Sequence, residues 1–69
     1  MIELKIEIRV NIIPDPYVID GFEWAIFQRN DIGESWNLVD EFYGIEHTLE
    51  AAGSKAIQAF KVLQARLNN

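Results

Sequence analysis

The stretch IELKIEIRVNI (Ile2–Ile12) alternates strictly between apolar and polar side chains. Ile2, Leu4, Ile6, Ile8, Val10 and Ile12 fall on one face; Glu3, Lys5, Glu7, Arg9 and Asn11 fall on the other. A period of two sustained over this length belongs to a strand with one buried and one wet face. The β-branched content suits a pleated surface. An apolar strand face needs a second layer to cover it, so the remaining sequence must supply neighbouring strands and a covering element.

The neighbours are aromatic-rich. Phe22–Arg29 (FEWAIFQR) and Ser35–Tyr43 (SWNLVDEFY) flank the short segment NDIGE at 30–34. A loop of this length, with Gly33 near its end in the left-handed region, suits a hairpin built on a type I turn. Gly44 ends the second of these strands, and the period changes. Leu49, Ala52, Gly53, Ala56, Phe60, Leu63 and Leu67 recur at helical spacing. Thr48 is placed to cap the helix N-terminus, Glu50 lies in its first turn and Arg66 near its end, which suits the helix dipole. The small first half of the stripe lets the helix approach a sheet, and Gly53, despite a propensity cost of about 1 kcal/mol, is read as serving that approach. The expected fold class is α+β: a three-stranded antiparallel sheet with one C-terminal helix packed on one face, in the order β-β-β-α. A single compact domain over 1–69 is expected, with strand 2–12, connection 13–21, hairpin 22–43 and helix 48–67.

The connection is unusual. NIIPDPYVIDGFEW (Asn11–Trp24) carries Pro14 and Pro16, each lacking a donor and each biasing its predecessor toward extended geometry. Asp20-Gly21 is a turn signal. Tyr17, Val18 and Ile19 between them are apolar enough to pack. The segment therefore caps the open end of the core, adds a short extra strand within 14–21, or reaches to a second subunit.

Composition narrows the function. A chain of 69 residues buries only about 60% of its unfolded surface and is marginal without help. It contains no Cys, which removes disulfides, thiol chemistry and Cys-based zinc sites. Oligomerisation is the remaining source of stability. No apolar run approaches the about 20 residues needed to cross a bilayer, and no signal-peptide pattern opens the chain. A cytoplasmic location without membrane contact is expected. Eleven acidic against six basic side chains leave a net charge of −5, which repels phosphate backbones and makes nucleic acid an unfavourable partner.

One face of the sheet does not balance. With Phe22, Trp24 and Ile26 inward, Glu23, Ala25, Phe27 and Arg29 point outward. With Trp36, Leu38 and Phe42 inward and Asp40 at the inner edge, Asn37, Val39, Glu41 and Tyr43 point outward. Ala25, Phe27, Val39 and Tyr43 then form an apolar strip on the face left uncovered by the helix. An uncovered face of an antiparallel sheet is ordinarily polar, and a contiguous apolar patch marks an interaction surface. Tyr17 and Ile19 of the connection join these four as interface candidates.

Chemistry-bearing patterns are weak. His47 between Glu46 and Glu50 is a poor zinc site with one nitrogen ligand and no sulfur. It reads as a solvated helix start. Asp31-Ile32-Gly33-Glu34 lacks the alternating oxygen ligands of a calcium loop. No phosphate-binding glycine loop and no supported nucleophile–base arrangement is present. Asp15, Asp20 and Glu23 read as a solvated acidic edge. No catalytic, cofactor-binding or metal-binding residue is expected, and the chain is read as a non-enzyme.

The segment YGIEHTLEAAGSKAIQAF (43–60) resembles the HicB-type antitoxin domain in its Gly44, Thr48, Glu50 and Ala51, where a Gly precedes a Thr-x-Glu-Ala helix start. The β-β-β-α order is also similar to part of the double-stranded-RNA-binding domain. That family needs a further helix in front and a basic cluster where this helix carries Glu46, His47 and Glu50. These resemblances imply a nucleic-acid-associated domain as the alternative function. The leading expectation is a small interaction module, self-associating as a homodimer, that acts as adaptor or inhibitor of a protein partner. A small enzyme with a site built at a dimer interface is the second alternative.

Overall fold

A computed structural model of the chain describes residues 2–14 and 17–68. Strands β1 (Glu3–Pro14), β2 (Tyr17–Arg29) and β3 (Asn37–Glu46) are followed by helix α1 (Leu49–Leu67). The strands form one antiparallel sheet in the order β1-β2-β3, and α1 packs on one face of it. This is the β-β-β-α architecture expected from the alternation in β1 and the helical stripe after Gly44.

The inner face lies as the β1 period dictates. Ile6 stands opposite Ile26, Leu4 opposite Gln28 and Ile8 opposite Trp24. Trp24, Ile26, Phe42, Ala52, Ala56 and Leu63 are buried, with Leu4, Ile6, Phe22, Val39, Ala59 and Phe60 packed around them. Ala52 and Ala56 are the helix residues pressed closest to the sheet, each fully buried. The helix start is capped by the Thr48 hydroxyl, which accepts from the Ala51 N–H at 3.0 Å. Glu50 in the first turn and Arg66 in the last complement the dipole, and the Arg66 guanidinium also sits 5.5 Å from the Phe42 ring centre.

Gly53 plays a different part from the one its place in the stripe suggests. A methyl group there would meet nothing within 4 Å, so the helix's approach to the sheet does not require a glycine at this position. Gly53→Ala is expected to stabilise the fold by about 1 kcal/mol through helix propensity. Urea denaturation checks this, and an unchanged or lowered midpoint would show a role for the glycine that its surroundings do not explain.

The β2–β3 loop is also different in type. The Glu34 N–H donates to the Asp31 carbonyl at 3.1 Å, and Gly33 at φ +95 occupies the third position of that turn. A positive φ at this position alone is the pattern of a type II turn rather than type I.

Two larger corrections concern the strands. First, β3 carries a three-residue irregularity. Ala25 stands opposite Tyr43, but Phe27 stands opposite Leu38, so one β2 residue faces four of β3. Glu41 lies inside this bulge at φ +74, a region non-glycine residues rarely enter. An odd number of inserted residues inverts the facing of everything before it. Phe42 and Tyr43 therefore lie as the plain alternation predicts, inward and outward, while Leu38 and Val39 exchange faces. Leu38 shares the outer face with Phe27, and Val39 packs against the core.

Second, residues 13–14 and 17–21 continue the two strands, which is the extra-strand alternative for this segment. β1 runs to Pro14 and β2 begins at Tyr17, with Pro14 opposite Tyr17, Ile13 opposite Val18 and Ile12 opposite Ile19. Asp15 and Pro16, read above as part of the connection, lie outside the described residues. A proline at a strand end costs little, because its missing N–H is not needed by the ladder there. Asp20-Gly21 is a bulge within β2 rather than a turn: Asn11 pairs with Gly21 and Ile12 with Ile19, leaving Asp20 extra. The Asn11 amide donates to the Asp20 carboxylate at 3.2 Å. Gly21 is needed because a Cβ would lie 2.9 Å from the Glu46 carbonyl oxygen. The result is a two-stranded ribbon, hereafter the arm, that extends past the end of β3 and gives the molecule dimensions of 45 × 25 × 16 Å.

Candidate functional site

The outer face of the sheet is the side that α1 leaves open. At one end it is ionic. Arg29 Nε donates to Glu3 at 2.9 Å, Lys5 Nζ lies 2.9 Å from Glu7, and Arg9 reaches Glu7 at 3.1 Å. The hydrogen bonds from Lys5 and then Arg9 hold the Glu7 carboxyl below its ordinary range. A lowered folded-state value contributes stability above the ordinary carboxylate range and loses it as pH falls through the lowered value. Glu7 is half-buried at the surface, and solvent screening keeps this contribution small.

Trp36 covers this ionic end. Its ring centre lies 4.6 Å from Lys5 Nζ and 4.3 Å from Arg29 Cζ, within cation–π reach of both. The expectation that Trp36 points into the core is therefore corrected. It precedes the β3 bulge, so it stands with Leu38 on the outer side. Trp24 does lie inside, and its Nε1 donates to a Glu46 carboxylate oxygen at 3.2 Å. That bond engages Glu46 with Trp24, while His47 is exposed in the turn after β3. No group of three metal-ligating side chains forms among the described residues.

Beyond the ionic end the outer face becomes apolar and concave. A groove of about 420 Å³ is lined by Ala25, Phe27, Leu38, Tyr43 and Ile45, with Glu7, Arg9 and Glu23 along its rim. Tyr43, Ile45 and Leu38 are largely open to solvent, while Ala25 and Phe27 form a half-buried floor. The bulge in β3 is what brings Leu38 here, opposite Phe27. Of the six residues singled out from sequence, Ala25, Phe27 and Tyr43 meet in this groove. Val39 is withdrawn from it into the core. Tyr17 and Ile19 lie elsewhere, exposed on the arm.

Sequence reasoning missed Leu38 and Ile45. Leu38 carries no local signal, since only the bulge moves it outward. Ile45 was within reach: continuing the alternation past Gly44 places it beside Tyr43 on the outer face. Gly44 looks like a strand breaker, but it remains in the ladder opposite Trp24, whose indole fills the space a side chain would take.

Compared with known protein families, curated proteins and solved structures, the chain matches none, the two families whose layout it resembles included. No helix among the described residues is long and apolar enough to cross a membrane.

Proposed function

We propose that the chain is a small self-associating interaction module that acts as adaptor or inhibitor by holding an apolar segment of a protein partner in the outer-face groove. The observation that carries this reading is the apolar concavity on a sheet face with no covering layer, where an antiparallel sheet is ordinarily polar. The free edge of β3 borders the groove. An extended partner segment can pair with that edge and set alternate side chains over Tyr43 and Leu38. The bulge interrupts the edge at its middle, which limits indiscriminate strand addition. Nothing in the reading requires bond-making chemistry, and the groove's lining offers a binding surface rather than converging acid–base groups.

The nucleic-acid alternative is weaker on the same geometry. Lys5, Arg9 and Arg29 share the outer face, but each is paired with Glu3 or Glu7. A phosphate backbone would have to displace those carboxylates against the net charge of −5.

Photo-crosslinking in the native host tests the reading. A crosslinking residue in place of Tyr43 is expected to give a discrete protein adduct that Leu38→Asp abolishes, while the same residue in place of Lys61, on the exposed helix side, gives none. Crosslinks to nucleic acid, or measurable nucleic-acid affinity at low salt, would overturn it in favour of the alternative.

A further inference from the structure

The groove leaves the arm unexplained. β3 ends at Glu46 opposite Phe22, and α1 begins three residues later at Leu49. Beyond that point the arm is two strands, and among the described residues no third strand lies beside them and no helix above. A ribbon of that kind is marginal alone in water. Its inner face is nevertheless the direct continuation of the core. The β1 row that passes under the helix at Leu4 and Ile6 runs on through Ile8, Val10 and Ile12. Across from these stand Trp24, Phe22 and Ile19, with Tyr17 at the end. Ile8, Val10, Ile12, Ile19 and Tyr17 are all exposed, Tyr17 at 83%. Among the described residues no charged side chain belongs to these two strand rows; Glu46 of β3 flanks them beside Phe22, its carboxylate held by the Trp24 indole N–H.

The whole molecule carries the same mark. A compact chain of 69 residues has a radius of gyration of about 11 Å, against 13.7 Å here. A compact monomer of 8.0 kDa exposes about 4,450 Å², against 5233 Å² here. The excess of about 800 Å² equals one partner's share of a standard specific interface.

Resting on the self-association in the function proposed above, we infer that two copies pair through the inner faces of their arms about a two-fold axis, with each arm tip over the root of the other. Two ribbons stacked at the about 10 Å spacing of packed sheets place Tyr17 of one copy over Val10 and Leu49 of the second. At about 200 Å² for a fully exposed side chain of this size, the five inner-row residues offer roughly 550 Å² per copy. The pair then buries about 1,100 Å² before its rim is counted, above the about 1,000 Å² that a specific interface should clear. A second copy fits better than an unrelated chain for two reasons. The row is the same length on both sides, so an isologous contact satisfies each arm with the other. Its described strand residues are also uncharged, with Glu46 at the root engaged by Trp24, so two chains of net charge −5 meet along their least charged rows. The outer grooves stay open and face away from each other, which makes the dimer bivalent for the partner.

Sedimentation equilibrium of the full chain tests this, with far-UV circular dichroism to establish that each variant is folded. The wild type is expected to be a dimer at micromolar concentration. Tyr17→Asp and Ile12→Asp are expected to raise its dissociation constant by about 100-fold or more, as for large side chains enclosed by an interface. Phe27→Asp, in the groove, is expected to leave the dimer intact. Because the chain has no Cys, Ile19→Cys with a short bis-maleimide gives a second readout, a covalent dimer. Tyr17 touches little in the monomer, so its replacement separates association from folding. A monomeric wild type would overturn both this inference and the self-association it rests on. A dimer that Phe27→Asp disrupts and Tyr17→Asp does not would overturn the arm interface and leave self-association standing.

Discussion

Ile26→Ala is expected to cost about 2–5 kcal/mol, among the largest losses from truncating a single side chain. Ile26 is fully buried and is the largest side chain so enclosed. It sits in the middle strand, opposite Ile6, in one cluster with the helix residues Ala52 and Ala56. Those alanines have no side-chain length with which to fill the space, so the cavity would stay open rather than collapse. A domain of 69 residues has a total stability of about 3–10 kcal/mol. The variant should therefore be partly or wholly unfolded at room temperature, which a urea titration followed by circular dichroism reads directly. A loss below 1 kcal/mol would mean that the core is not centred where these contacts put it.

Gly44→Ala should be among the most damaging changes made by adding atoms. A Cβ at position 44 would stand 2.8 Å from Trp24 Nε1, with two further ring atoms at 3.1 and 3.2 Å. The indole cannot easily give way. It is buried, and its N–H is held by Glu46 at 3.2 Å. Relief requires breaking that bond or spreading β2 from β3, and overpacking of this kind costs about 1–3 kcal/mol. Measured in a Trp36→Phe background, the variant should show a lowered urea midpoint and a changed Trp24 emission together. Full stability with unchanged Trp24 emission would contradict the contact.

These two positions show what a single sequence reveals here and what it conceals. The alternation in β1 is local and period-two, so it announces both the sheet and its buried face without help from tertiary structure. Thr48, Glu50 and Arg66 act within one or two turns of the helix, and their roles are likewise readable in place. The β3 bulge is not local. Whether Leu38 or Val39 faces the core depends on where the ladder with β2 slips, and nothing in LVDEF marks the slip except the cost of placing Glu41 at positive φ. The arm was concealed for a related reason. Pro14 and Asp20-Gly21 are breaker signals, and each has a second use at a strand end or a bulge that only the pairing decides. Tyr17 and Ile19 stood out by hydrophobicity alone, which identified them as surface of interest but not the ribbon that carries them.

The corrections sharpen the function. Withdrawing Val39 and adding Leu38 and Ile45 turns a strip into a groove. Extending β1 and β2 turns a connection into an arm. The chain thus has two separate apolar surfaces, on opposite faces of the sheet and at different heights along it. We propose the first for a partner segment and the second for another copy of the chain.

Amide hydrogen exchange tests this division most directly. At micromolar concentration the backbone amides of Ile12 and Ile19 are expected to be protected to a degree approaching those of Ile26, and to lose that protection on dilution or in Tyr17→Asp. Exchange of the arm as fast as that of the 30–35 loop at every concentration would contradict it.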